Sequence, residues 1–208
     1  VPVTMDQMIH HASAVCRGVQ NALVVGDLPF MSYQSSLSDG MSNAGRFLKE
    51  AGTTAVKLEG GARVLELVHH LVEAGIPVMG HLGLTPQSVN AFGGHRVQGR
   101  EAEQAQRILQ DAKDLEAAGA FAVVLEAVPA ELALRVTGSL SVPTIGIGAG
   151  PHCDGQVLVL HDMLGINDRT PKFVKRYASV AETIRDAAAA YAEDVRAGTY
   201  PSEEHTYK

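Results

Sequence analysis

Short apolar runs alternate with longer amphipathic stretches along the whole chain, and this alternation is the feature that most constrains the fold. Each run is rich in β-branched residues and ends in Gly, Pro or a polar cluster, as strands do. The apolar residues within a run are nearly continuous, which is typical of parallel strands covered on both faces. We predict six strands, at residues 22–30, 55–61, 77–83, 121–129, 143–150 and 156–162.

The stretches between these runs predict helices. Thr4 and Gln7 have the spacing of a capping box at the start of the first helix. A Thr-Pro pair at 85–86 is typical of an N-cap followed by the first helical residue. Gly75 and Gly119 follow two apolar stripes and predict helix ends, because glycine readily adopts the left-handed conformation found there. The amphipathic stretches lie at residues 65–72, 105–115 and 173–195.

Composition places the 208-residue chain among ordinary globular proteins and excludes several classes of function. A net charge of −6 without any Lys/Arg cluster argues against nucleic acid as a partner. Cys16 and Cys153 are too few for a disulfide framework. The first residues show no basic stretch followed by an apolar core, so with so few cysteines we expect a reducing, cytoplasmic location. No apolar run reaches the roughly 18 residues of a membrane span, so we expect no membrane partner. With no repeat or linker, residues 1–208 are predicted to form a single barrel domain.

Six β/α units are compatible with an open doubly wound sheet or with a (β/α)8 TIM barrel. An open sheet gathers its binding residues at one switch point, whereas a barrel collects them from many strand ends at one rim. Charged residues and histidines stand at or near the ends of five predicted strands here. We therefore predict an α/β fold of the barrel type. Since a barrel needs eight strands to close, we expect the first two β/α units to be missing from this sequence.

Three charged residues stand out at the ends of apolar runs. Lys57 and Glu59 are two residues apart, so their side chains point to the same face of a strand. Burying two charges is costly unless they are paired or used, so the explanations are a mutual ion pair, a solvated strand end or a binding function. Their opposite signs suit an anionic substrate and a metal ion. Asp27 ends an earlier run just before a proline and is either a turn former or a ligand.

Glu126 and His81 complete the candidate site. Glu126 follows a fully apolar strand, where a partly desolvated carboxylate can serve as a general base or as a structural partner. His81 lies between two glycines and is a ligand, an acid or a buried core imidazole. Motifs for serine hydrolysis, zinc binding and thiol redox chemistry are absent from the sequence. The remaining carboxylates and lysine suit Mg²⁺, which prefers oxygen ligands and can polarise a keto acid.

Six motifs are long enough or distinctive enough to be compared with a known family. They are DLPFM at 27–31, VKLEGG at 56–61, GHLGLTPQSV at 80–89, VQGR at 97–100, GIGAG at 146–150 and HD at 161–162. In content and order they resemble the 3-methyl-2-oxobutanoate hydroxymethyltransferase (ketopantoate hydroxymethyltransferase) family. The resemblance runs from Val1 to the PSEEH motif at 201–205.

The resemblance implies a (β/α)8 barrel of the phosphoenolpyruvate/pyruvate superfamily, assembled as a homo-oligomer, commonly a decamer. It also implies a Mg²⁺-dependent transfer of a hydroxymethyl group from 5,10-methylenetetrahydrofolate to 3-methyl-2-oxobutanoate, giving 2-dehydropantoate for pantothenate and coenzyme A synthesis. Asp27 matches the aspartate that binds metal and keto acid, and Lys57 matches a substrate-binding lysine. Glu59 matches a metal ligand and Glu126 the proton acceptor. His81 matches a histidine of the active-site motif, counted with the substrate-binding residues.

One family motif has no match in the sequence. The family carries Gly-Asp-Ser on an earlier strand, where it binds the metal and the keto acid, and no counterpart precedes Val1. We expect a whole site if that segment is only missing from the sequence, and little activity if the protein lacks it.

Two other functions compete with this one. A carbon–carbon lyase of the same superfamily is disfavoured because those enzymes usually carry a catalytic cysteine loop, which we do not find. A non-catalytic barrel that only binds a keto acid is disfavoured by the retained Glu126.

Overall fold

The computed structural model describes residues 1–91, 93–94 and 96–208. The chain forms two compact units, Val1–Val157 and Leu158–Lys208, and each is described by itself. The prediction of a single domain stays a prediction. Of the helices in the described residues, none combines the length and the apolar character needed to cross a membrane.

The first unit is built on a six-stranded sheet in which every neighbouring pair of strands is parallel. The strands lie side by side in chain order. A doubly wound sheet reverses its strand order at a switch point, so the sequential order confirms the predicted barrel-type topology. The strands are β1 (Val25–Asp27), β2 (Ala55–Glu59), β3 (Val78–Gly83), β4 (Ala122–Glu126), β5 (Thr144–Ile147) and β6 (Gly155–Gln156).

Helices precede the first strand and connect most of the others. The capping box is confirmed, because Thr4 Oγ1 accepts from the Gln7 amide and Gln7 Oε1 accepts from the Thr4 amide. Thr85, by contrast, makes no capping hydrogen bond, and the residues after it form only a 3₁₀ turn (Pro86–Ser88). The helices of this unit are α1 (Met5–Gly18), α2 (Leu37–Arg46, continued by a π-helical turn at Phe47–Ala51), α3 (Leu65–Glu73), α4 (Ala102–Ala117) and α5 (Ala130–Thr137).

Two predicted segments differ from the structure. Most of the run at 156–162 is not a strand, because β6 is two residues long and helix α6 (Leu160–Met163) follows it. The final helix, predicted from residue 173, is α7 (Val180–Ala197). The reason for its late start is that backbone amides before it bond elsewhere: Tyr177 N donates to Met163 O and Val180 N to Leu164 O.

The register of the strands separates the two faces of the sheet. Val56 pairs with Val78 and Leu58 with Gly80, and in-register residues of parallel strands point to the same side. Leu115 of α4 packs so close to Gly80 that a Cβ there would overlap it, which identifies this side as the helix-covered core. The alternate positions face away from these helices. Charges at those positions are therefore gathered on one side of the sheet.

Candidate active site

The carboxyl ends of four neighbouring strands place the candidate residues side by side. Asp27 at the end of β1 is in register with Lys57 of β2. Glu59 at the end of β2 is in register with His81 of β3, and Glu126 ends β4 next to it. Because in-register neighbours share a face, all of these side chains point to the side opposite the helix-covered core. The structure thus brings the five sequence-predicted residues together.

Short contacts join these residues into a continuous line, which we call the charged line (Asp27, Lys57, Glu59, His81 and Glu126). Lys57 Nζ lies 2.7 Å from Asp27 Oδ1 and 3.3 Å from His81 Nδ1. The other ring nitrogen, His81 Nε2, lies 3.2 Å from Glu126 Oε2. Glu59 Oε1 stands 3.8 Å from His81 Nδ1. One imidazole therefore contacts the lysine and both glutamates.

Burial increases toward the middle of the charged line. The side chains of His81 and Glu59 are 3% and 5% exposed, whereas that of Asp27 is 44% exposed. Burial raises the pKa of Glu59 to about 7; Lys57 and the Gln87 amide oppose this shift, while Asp27 and Glu126 add to it. Burial therefore makes the charged form of the Glu59 carboxylate costly unless a positive charge or a proton offsets it.

Burial and the neighbouring lysine both favour the neutral form of the His81 imidazole. Burial lowers the pKa of its imidazole below the ordinary value, and the Lys57 charge lowers it further, against the opposing effect of Glu126. Since the Lys57 ammonium can only donate, Nδ1 is the acceptor and we assign the ring proton to Nε2. His81 Nε2 lies 3.2 Å from Glu126 Oε2. The geometry of this contact is not that of a hydrogen bond.

The donor atoms of the charged line fit a magnesium ion that shares its ligands with a substrate. Asp27 Oδ1 is buried and, although close to Lys57, makes no aligned hydrogen bond. In the part of the chain that the structure describes, no group of three or more acidic, histidine or cysteine side chains is placed to hold a metal. Mg²⁺ commonly binds through one or two carboxylates and fills its other positions with water and substrate oxygens. Asp27 and Glu59 meet that requirement.

Tyr33 and Gln87 hold Glu59 in place, and sequence reasoning missed the role of both. The Tyr33 hydroxyl accepts from the Glu59 amide at 3.0 Å and lies 3.1 Å from Gln87 Oε1. The Gln87 amide donates to Glu59 Oε2 at 3.0 Å, and Gln87 Nε2 donates to Leu28 O at 2.8 Å. The loops after β1 and β3 are therefore bonded to the end of β2. Gln87 lay within a recognised motif, but no sequence signal pointed to Tyr33.

The backbone next to Glu126 has an unusual conformation. Ala127 has φ of +47°, in the left-handed region that residues other than glycine rarely adopt. Its amide donates to Ile147 O and its carbonyl accepts from Gln98, which hold this conformation. Gly83, in register with Glu126, has φ of +92°, and a Cβ there would overlap the Glu126 carbonyl oxygen. Strain of this kind clusters at functional sites.

The sequential parallel sheet with its charged rim defines an α/β protein of the barrel class. The solved structure of phosphonopyruvate hydrolase matches with a TM-score of 0.56 and 13% identity, covering 100% of this chain and 72% of that one. A putative phosphonomutase from Burkholderia cenocepacia J2315 matches with a TM-score of 0.56 and 15% identity, covering 74% of this chain and 70% of that one. These likenesses show the fold.

Sequence comparison identifies the family. The profile described as ketopantoate hydroxymethyltransferase matches residues 1–203. The 3-methyl-2-oxobutanoate hydroxymethyltransferase of Clostridium novyi (strain NT) is 60% identical over 207 residues, which are 99% of this chain and 75% of that protein. That of Syntrophus aciditrophicus (strain SB) is 60% identical over 208 residues, 100% of this chain and 76% of that protein. The chain belongs to the ketopantoate hydroxymethyltransferase family.

Proposed function

We propose that this protein transfers a hydroxymethyl group from 5,10-methylenetetrahydrofolate to 3-methyl-2-oxobutanoate and forms 2-dehydropantoate for pantothenate and coenzyme A synthesis. Family membership supports the reaction. The observation that carries the mechanism is the contact of His81 with both Lys57 and Glu126, which couples a positive charge to a carboxylate base. Decameric self-association and a cytoplasmic location remain predictions.

The substrate carries a carboxylate next to a ketone, so its oxygens need positive charge. Lys57 supplies part of that charge from the middle of the site, where its side chain is 17% exposed. Asp27 and Glu59 would hold Mg²⁺, which when bound polarises the ketone and stabilises negative charge on its oxygen. The Asp27 carboxylate, 2.7 Å away, also positions the Lys57 ammonium.

Glu126 is the proposed base. Its carboxylate removes the proton from C3 of the keto acid, the C–H electron pair forms the C2–C3 double bond, and negative charge moves to the C2 oxygen near Lys57. His81 donates its Nε2 proton toward Glu126 and so orients the carboxylate that accepts the C3 proton. Water adds to the one-carbon unit of the folate, both of its C–N bonds break, and tetrahydrofolate leaves with the two water protons on its nitrogens. C3 then attacks the formaldehyde carbon so released, and protonated Glu126 returns its proton to the new alkoxide, which becomes the hydroxyl group.

The test is product formation, followed by mass spectrometry. Protein, 3-methyl-2-oxobutanoate, 5,10-methylenetetrahydrofolate and Mg²⁺ are combined, and each component is omitted in turn. We expect 2-dehydropantoate only in the complete mixture, with loss of product after chelation and recovery on adding Mg²⁺. Binding of the keto acid without any product would contradict the proposal and favour a binding protein. Undiminished product after chelation would contradict the proposed role of Asp27 and Glu59.

A further inference from the structure

A cavity of about 670 Å³ lies beside the charged line. Glu59 lines the cavity and also contacts His81, so the cavity opens onto the proposed reaction site. Its other walls come from the loops that follow β1, β2 and β3 and from the first half of α4. A volume of this size lies in the range of about 300–1,000 Å³ that suits a multi-ring organic ligand. It exceeds what a five-carbon keto acid needs.

The cavity contains a carboxylate that the proposed mechanism does not use. Asp111 projects from α4 against the loop after β2, and its Oδ1 accepts a hydrogen bond from the Ala62 amide at 3.1 Å. The carboxylate packs so tightly on Gly61 that a Cβ there would overlap it. Among the described residues, its other oxygen, Oδ2, has no hydrogen-bond partner. Asp111 is thus fixed by one oxygen and keeps hydrogen-bonding capacity at the other.

The charges around Asp111 restrict the ligand. Burial raises the pKa of this carboxyl group, and Arg63 and Arg107 of the same cavity wall oppose the shift. A phosphate group would meet the Asp111 carboxylate at short range and be repelled by it. A ring carrying an N–H beside an amino group can instead donate to the carboxylate, and the arginines can pair with carboxylates elsewhere on the ligand. Phe30 adds an aromatic face to the cavity wall.

A reduced folate combines these features, because its pterin ring has the N–H and amino edge and its glutamyl tail has the carboxylates. We infer that this cavity binds the folate one-carbon donor, with the pterin edge on Asp111 and the glutamyl tail toward Arg107. The inference rests on the proposed function and adds to it the donor site. Because Glu59 belongs to the charged line and also lines the cavity, the donor and the keto acid would meet at that side chain.

Asp111→Asn separates ligand recognition from a structural role. Asparagine keeps the oxygen that accepts from Ala62, so the loop after β2 stays bonded, but it removes the charge. Asp114→Asn is the matched control on the same helix, since Asp114 bonds to Gln110 at the surface and is not part of the cavity wall. Arg107→Gln is the second variant, at a side chain that is 71% exposed and can be changed without disturbing the core.

Titration calorimetry with two probes tests the site: tetrahydrofolate, and 6-methyltetrahydropterin, which lacks the glutamyl tail. We expect Asp111→Asn to weaken binding of both probes about tenfold or more, since a hydrogen bond to a charged group is lost. Arg107→Gln should weaken the binding of tetrahydrofolate several-fold and leave the binding of 6-methyltetrahydropterin unchanged, because only the glutamyl tail reaches Arg107. Asp114→Asn should change neither. Wild-type affinity in Asp111→Asn, or no binding of tetrahydrofolate to the wild type, would overturn the inference.

Exchange of the C3 proton of the keto acid into D₂O, measured without folate, distinguishes this inference from the proposed function. Asp111→Asn should exchange at the wild-type rate, because Asp111 lies outside the charged line. Normal exchange in a wild type that does not bind tetrahydrofolate would overturn the donor site alone. Absence of exchange in a wild type that binds tetrahydrofolate would contradict the proposed base chemistry and leave the donor site standing.

Discussion

Two neighbouring regions of the same rim hold their carboxylates in different ways. In the charged line, Glu126 and Glu59 each stand within 4 Å of His81, whose other neighbour is Lys57. In the cavity, Asp111 contacts one backbone amide and stands on a helix apart from these groups. Contact between titratable groups suits movement of a proton, whereas a carboxylate fixed at one oxygen suits recognition of a ligand.

Glu126→Gln should abolish chemistry while leaving ligand binding intact. The change keeps the size of the side chain and removes the base, and general-base catalysis is typically worth about 10²–10⁴-fold in rate. We expect product formation to fall by about that factor, with the affinities for the keto acid and for tetrahydrofolate nearly unchanged. Steady-state product assays and calorimetry measure these quantities.

Glu131→Gln is the matched control, because Glu131 is an exposed residue in the first turn of α5, shortly after Glu126. It should have wild-type activity. A Glu126→Gln variant with wild-type turnover would show that the charged line does not remove the proton.

His81→Leu should have the next largest effect, because it removes the proton that faces Glu126 and the acceptor for Lys57. We expect proton exchange at C3 to slow about tenfold, the effect of losing about 1–1.5 kcal/mol of polar contacts that position Glu126 and Lys57. His81→Gln, which can still donate toward Glu126, should recover part of the rate. Equal loss in both variants, with unchanged stability, would contradict an orienting role for the imidazole.

Tyr33→Phe tests the wall that the two regions share. Tyr33 lines the cavity and accepts from the Glu59 amide, so the change leaves a buried amide without its partner. We expect the free energy of unfolding to fall by about 1–3 kcal/mol, measured by urea denaturation. Tyr177→Phe, at a tyrosine that is 66% exposed, should have no such effect. A stable Tyr33→Phe variant would show that this hydroxyl does not hold the end of β2.

Asp154→Asn supplies a reference outside both regions, and its effect should be the smallest. The amide of Thr144 and then its hydroxyl donate to Asp154 and hold the pKa of this carboxyl below its usual value. Because its pKa is lowered in the folded state, the ionised Asp154 carboxylate stabilises the fold at pH values above the ordinary aspartate pKa of about 4. This contribution disappears as the pH falls through the pKa of the folded state. The variant should therefore be slightly less stable than the wild type at pH 7. The difference should shrink on acidification, and a constant difference would contradict this assignment.

The sequence predicted the sheet well where burial leaves a clear pattern. Strands β2, β3 and β4 are apolar runs that contain or end in charged or titratable residues. A core strand carries such a residue only where it has a function, so Lys57 and Glu126 could be recognised as candidate site residues. Strand register then placed them together. Asp111 gave no such signal, since a polar residue on an amphipathic helix has the same pattern whether it faces solvent or a cavity.

The region after Val157 shows what the apolar periodicity of a sequence can and cannot predict. The apolar stripe of the last helix was correctly identified as helical, yet α7 has no buried residue, and its start depends on backbone bonds to the segment around Met163. Such bonds join residues that are far apart in sequence, and no local pattern encodes them. The same reason explains why Tyr33 was missed, because its partners Glu59 and Gln87 are distant in the chain.

The central claim is that the charged line makes an enolate from the keto acid, and proton exchange tests it most directly. Wild type and Glu126→Gln are incubated with 3-methyl-2-oxobutanoate in D₂O, with and without Mg²⁺ and in the absence of folate, and loss of the C3 proton is followed by NMR. We predict exchange that requires both Mg²⁺ and Glu126. Equal exchange by the two proteins, or none by the wild type with Mg²⁺ present, would contradict the assignment of Glu126 as the base.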